Sequence, residues 1–149
     1  MNLTIPSIVF AAALLLHPAP VAAQSSDREA VDQVMQKVLR AFHTGDRDLM
    51  FEVLRKDGRV LGYSASKGQV VTQTAEEWAQ GLQGKPADDE AQRKRSYEIL
   101  DVNDNAAVVK VILDYPMWQG LDYLSLSKID GRWMVVSKSW SGHSKPAAK

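Results

Sequence analysis

The sequence predicts an α+β domain: helices come first, and a meander of antiparallel strands follows. Three observations carry this. Val31, Val34, Met35, Val38, Leu39 and Phe42 recur at the i, i+3, i+4, i+7, i+8, i+11 spacing of one apolar helix stripe. From Ser96 onward the apolar period changes to two, as in half-buried strands. Between the last two such runs stands Asp130-Gly131, a pair that tolerates positive φ at both central positions of a two-residue hairpin.

The elements follow in order. Ile5–Leu16 is apolar and uncharged, too short for a bilayer, which needs about 20 residues. Small residues at Val21-Ala22-Ala23 follow it, so residues 1–23 read as a secretory signal peptide cleaved after Ala23. The Met1–Thr4 stretch departs from that pattern in having no Lys or Arg, and the alternative is an uncleaved anchor. The domain then spans residues 24–144. Ser26 with Glu29 has the capping-box spacing for the first helix, and Gly45 suits the left-handed residue after it. A second helix starts at Asp46 and buries Leu49, Met50, Val53 and Leu54. Lys56-Asp57-Gly58 is a turn signal, and Arg59–Ser64 reads as a strand. Thr74 with Glu77 opens a short third helix bearing Trp78 and Leu82 on one face. The polar run Lys85–Lys94 reads as a mobile surface loop. Ser96–Val102, Ala106–Tyr115, Leu121–Ile129 and Arg132–Trp140 are four strands, and residues 145–149 are a disordered tail.

Composition bounds the function. Lys+Arg and Asp+Glu are 18 each in 149 residues, so no bulk charge draws the chain to nucleic acid or an anionic membrane. Cysteine is absent, which removes disulfides, thiol nucleophiles and cysteine zinc sites. His43 and His143 have no metal-ligand spacing, so neither metal nor cofactor is expected. Export places the protein in a periplasm or outside the cell, with no membrane attachment once the signal is removed.

The order helix, helix, strand, helix, meander resembles the nuclear-transport-factor-2-like superfamily. The resemblance sharpens at Asn105–Val111, Asp122–Leu126, Lys128–Trp133 and Val135–Lys138, which are similar to its Putative lumazine-binding branch. It covers most of residues 27–140. It implies a cone-shaped curved antiparallel sheet wrapped on a long N-terminal helix, enclosing a cavity, with dimerisation through the outer sheet face. Many members carry a Phe-His-Pro-like stretch after the second helix. Here that region reads Phe51–Lys56, without His, so no role of such an imidazole carries over.

Strand register assigns faces within that cone. With Asp130-Gly131 as the loop, Ile129 opposes Arg132, and continuing the pairing sets Asp122 opposite Ser139. Leu124, Leu126, Trp133 and Val135 then form the concave side. Asp122, Ser137, Ser139 and Tyr115 mark its polar end. A one-residue slip would invert these assignments. A carboxylate beside apolar side chains has its charged form disfavoured, which makes Asp122 a candidate acid, base or ligand anchor; the alternative is a half-solvated or hydrogen-bonded structural group. Tyr63, Trp78, Tyr115 and Trp118 could wall a pocket that stacks a flat heterocycle, the alternative being plain core packing. Trp118, in the Pro116–Gly120 loop, suits a lid or rim. Tyr123, Met134, Val136, Trp140 and Ile112 form an apolar outer patch suited to a homodimer.

Three functions are compatible: an exported protein binding a small, partly aromatic molecule; an isomerase- or dehydratase-like enzyme using Asp122 as acid or base; and a non-catalytic dimeric interaction module. An open aromatic hollow with one acid favours the first. An acid and a donor reaching one point favour the second. A closed hollow favours the third.

Overall fold

The computed structural model describes residues 20–146, with side chains from Gln24 onward. Most of the expected signal peptide (residues 1–19) and the last three residues of the expected tail lie outside the described residues.

Helix α1 spans Pro20–Thr44. Its expected stripe is its buried side: Val31, Val34, Met35 and Val38 are almost fully covered, and Leu39 and Phe42 pack against the core. Its start differs. Ser26 and Glu29 lie inside the helix, which the helix-forming Ala22-Ala23-Gln24 run extends toward Pro20. Gly45, at φ 68°, ends it. The Lys85 carbonyl lies where a Cβ would be only 2.0 Å away, so position 45 requires glycine twice over. Helix α2 (Arg47–Phe51) is capped by Asp46, which accepts from the Leu49 N–H at 2.9 Å.

Strand β1 (Leu54–Ser64) begins five residues before the expected start, because Lys56-Asp57-Gly58 is an irregularity within the strand and not a turn. Strand β2 (Gln69–Thr74) has no counterpart in the sequence reading. It is an edge strand with no buried residue, so its side chains carry no apolar alternation to betray it. Helix α3 (Ala75–Ala79) opens with the expected capping box: Glu77 N–H donates to Thr74 Oγ1 at 3.1 Å, and Thr74 N–H to Glu77 Oε2 at 2.7 Å. The meander is β3 (Lys94–Asn103), β4 (Ala106–Asp114), β5 (Trp118–Ile129) and β6 (Arg132–Ser144).

The six strands form one curved, unclosed sheet in the order β2-β1-β6-β5-β4-β3. The β1–β6 pairing is parallel, so the sheet is mixed, where an antiparallel one was expected. Val109, Val111, Leu124, Leu126, Trp133 and Val135 form the concave face that meets α1. Among the described residues, no helix is long and apolar enough to cross a membrane.

Two segments expected to be loose are tied down. Within Lys85–Lys94 lies a 3-10 turn, Glu90–Gln92, whose Glu90 is buried. At the other end β6 continues to Ser144. Lys145 donates its N–H to Met117 O at 3.0 Å and its ammonium to Asp114.

The Asp130-Gly131 hairpin forms as expected, with φ of 50° and 76°. Pairing runs as predicted from Ile129↔Arg132 to Leu126↔Val135. There the register shifts: Ser125 opposes Ser137, which leaves Val136 as the extra residue of a β-bulge. Beyond it every side chain of β6 changes face. Asp122 therefore opposes Trp140, and Lys138 opposes Leu124. Ser139 lies opposite Tyr123, outward and exposed, and Trp140 leaves the outer patch for the inner face.

Candidate functional site

Strand β5 delivers Asp122 to the concave side, between Gly120 and Leu124, where it is 1% exposed. Its Oδ2 accepts a 2.8 Å hydrogen bond from the Lys138 ammonium, brought inward by the bulge and itself 9% exposed. Its Oδ1 is buried with no hydrogen-bond partner among the described residues. An unsatisfied buried acceptor of this kind costs about 1–3 kcal/mol, more for a charged group. Burial pushes the Lys138 amine below its ordinary pKa, and Asp122 opposes that shift.

Aromatic side chains share the inner side with this pair. The Lys138 nitrogen sits 4.4 Å from the ring centre of Trp78, on α3, and Trp78 meets Phe42 edge-on at 5.7 Å. Trp140 lies across Gly62, where a Cβ would come within 2.3 Å of the indole. Trp118 lies over Gly120 and Gly142, where Cβ atoms would approach its ring to 2.1 and 2.0 Å. Trp118 opens β5 and is seated in a glycine slot, so it is not a free loop residue acting as a rim. Tyr115 lies 6.0 Å from it.

A second ionic cluster backs the first. Tyr115 Oη accepts from Arg95 Nε at 2.9 Å, and the guanidinium of Arg93 stacks 4.4 Å above its ring. Burial pushes the Tyr115 phenol up, against the pull of Arg95. Arg95 donates to both carboxylate oxygens of Glu90, and His43 Nδ1 lies 2.8 Å from Glu90 Oε1. The Arg95 hydrogen bonds, helped by His43, hold the Glu90 carboxyl below the usual range despite burial. The 82–93 segment is thus a strap pinned across the Tyr115 end of the cone.

Of the residues singled out in the sequence, Asp122, Trp78, Tyr115 and Trp118 come together on the inner side. Tyr63 and Ser139 do not. Tyr63 is 57% exposed because the inward residues of β1 are Val60, Gly62 and Ser64. Ser139 is on the outer face because of the bulge. Lys138, Trp140, Glu90 and Arg95 were missed: the first two depend on the bulge, and the others on a long-range ion pair that periodicity does not encode. The cavity that the resemblance implies is small where the inner face meets Lys138. The cavity bounded by Val38, Met50, Leu54, Val60, Leu124 and Lys138 measures about 10 Å³, room for one water.

The family model described as Putative lumazine-binding matches residues 26–141. The chain belongs to this family. No curated protein sequence matches it. Among solved structures it is similar to an NTF2-like protein of unknown function from Shewanella baltica, at 17% identity and a TM-score of 0.68, covering 81% of this chain and 97% of that one. It is similar to a putative scytalone dehydratase from Novosphingobium aromaticivorans, at 12% identity, TM-score 0.60, and 87% and 94% coverage. It is also similar to the association domain of C. elegans CaMKII, at 15% identity, TM-score 0.55, and 80% and 98% coverage. At these identities the likeness establishes the NTF2-like fold. In this member of the family, the Asp122–Lys138 pair leaves one carboxylate oxygen without a hydrogen-bond partner among the described residues, with the ammonium against the face of Trp78.

Proposed function

We propose that this chain is an exported protein that binds a small, flat, partly aromatic molecule against the Asp122–Lys138 pair. The observation that carries the reading is Asp122 Oδ1, a buried carboxylate oxygen with no hydrogen-bond partner among the described residues, on a strand position paired with Trp140 and two residues from Gly120, over which Trp118 lies. A ligand N–H or O–H would satisfy it, and Lys138 would donate to an acceptor beside that group. The ligand enters at the Tyr115 end, where the 82–93 strap is held by Glu90 to Arg95 and His43 and by Arg93 over the Tyr115 ring, and the strap shifts as it does so. The family description supports a small ligand, and the apolar N-terminal segment supports a periplasmic or secreted location. Small heterocycles bearing ring N–H groups should quench tryptophan fluorescence, and Asp122→Ala should weaken the effect at least about tenfold, the worth of one charged hydrogen bond. Unchanged fluorescence across such a panel would overturn the reading.

The closed hollow favours a second reading, a dimeric interaction module. The outer face carries Lys110, Tyr123, Ser139 and Leu61 side by side across four strands, with Tyr123 42% and Leu61 50% exposed. The likeness to an association domain supports it. Sedimentation should then give a homodimer that Tyr123→Glu dissociates; a monomer at all concentrations would exclude it. The isomerase- or dehydratase-like reading gains less: no second hydrogen-bond donor among the described residues is aimed, with Asp122, at one shared point.

A further inference from the structure

We propose that Lys138 is an imine-forming lysine, whose ε-amine captures a small aldehyde or ketone while Asp122 moves the protons. The inference rests on the reading of this pair as the ligand seat, and it adds a covalent step and a substrate class. Four observations carry it. Lys138 is the buried lysine among the described residues, held against an indole face and apolar walls, where a neutral amine is better tolerated than in water. The acid that takes its proton is already in contact at 2.8 Å. That carboxylate keeps a second oxygen unpartnered, so it can hold a proton on one oxygen and accept a hydrogen bond on the other. The cavity against Lys138 has room for one water, the by-product of condensation. Its other charged wall is Arg59, which cannot serve as a base.

The step balances without any co-reactant. The Lys138 ammonium gives a proton to Asp122. The amine nitrogen attacks the carbonyl carbon, the C=O π bond opens, and the oxygen takes the proton from Asp122. The nitrogen returns one of its own protons to Asp122, which leaves a neutral carbinolamine. Asp122 then protonates the hydroxyl, the C–O bond breaks, water departs, and the nitrogen lone pair forms the C=N bond. One positive charge enters on the ammonium and one remains on the protonated imine. The hollow holds one water, so its walls must part to admit even a two-carbon carbonyl compound.

The test is reductive trapping on the intact chain. The protein is mixed with acetaldehyde and cyanoborohydride at about pH 6.5, where a lysine of ordinary pKa is about one part in ten thousand free amine, and labelled positions are mapped by mass spectrometry. Lys138 should be ethylated at least about tenfold faster than the exposed lysines, since burial lowers its pKa and leaves more of it as free amine. Lys138→Arg should abolish that fast label and leave the exposed set unchanged. Slower labelling at Lys138 than at exposed lysines overturns the inference. Quenching by a heterocycle in the same preparation, with no fast label at Lys138, removes the imine and leaves the binding reading standing. Neither quenching nor label removes both.

Discussion

Breaking the Asp122–Lys138 pair one residue at a time gives a sharply asymmetric prediction. Both groups are almost fully buried, and each is the other's counterion at 2.8 Å. Lys138→Met strands a carboxylate, and Asp122→Leu strands an ammonium. A stranded charge can always neutralise itself, which caps the loss: at pH 7, keeping an ordinary lysine neutral costs about 5 kcal/mol and keeping an ordinary aspartate protonated costs about 4 kcal/mol. Single removal of a buried partner typically costs about 3–5 kcal/mol, so the cap and the precedent agree. Against a total stability of about 5–15 kcal/mol, either single variant should lose on the order of 10–20 °C in Tm. The double variant leaves no charge, and its apolar side chains complete the wall formed by Leu124, Val60 and Trp78. It should lie within about 1 kcal/mol of the starting protein or above it. Urea unfolding of the four proteins, read as a double-mutant cycle, measures the coupling. Single variants that each lose less than about 1 kcal/mol would mean that water reaches the pair, and the site as described would be wrong.

Four further outcomes follow from the same geometry. Lys138 is protonated in the unfolded chain up to its usual pKa but has a lowered pKa when folded, so the unfolded state binds more protons in between; stability should rise with pH across that window, and Lys138→Met should abolish the rise in urea titrations. Glu90 has a lowered pKa in the fold through Arg95 and His43, so its contribution is present above the ordinary carboxyl pKa and is lost as pH falls below it; strap protection in hydrogen exchange should fade over that acid range, and in Glu90→Gln it should be weak at every pH. Tyr97, half-buried and donating to Asp32 at 2.6 Å, has its phenol pushed up to about 12 by partial burial and by that carboxylate, so alkaline absorbance titration should show a late step that Tyr97→Phe removes. Gly142→Ala places a methyl 2.0 Å from the Trp118 ring and should cost about 1–3 kcal/mol in unfolding free energy, with a shift in tryptophan emission as the indole leaves its slot.

The legible parts of this molecule are those governed by local periodicity and turn chemistry. The α1 stripe, the Thr74–Glu77 box and the Asp130-Gly131 hairpin each follow from residues within a dozen positions of one another, and all three form. The inner placement of Asp122 was legible too, since its parity with Leu124 and Leu126 is set inside β5. Its partner was not. One extra residue at Val136 changes the face of everything beyond it, and nothing in Val135-Val136-Ser137 signals an insertion. The result exchanges a serine-lined mouth for a lysine and two tryptophans over glycines. Glycines 62, 120 and 142 offered a signal in retrospect: a glycine inside a strand often marks close approach by a large side chain. The strap escaped because its fold depends on Glu90 meeting Arg95 and His43, an arrangement set by tertiary structure that a polar sequence run does not display.

The most direct measurement is native mass spectrometry of the protein under non-denaturing conditions, with and without an added mixture of small N–H-bearing heterocycles. The account predicts a one-to-one ligand adduct that disappears in the charge-free Asp122→Leu, Lys138→Met protein. Bare protein in every spectrum, or an adduct that survives removal of both charges, would contradict it.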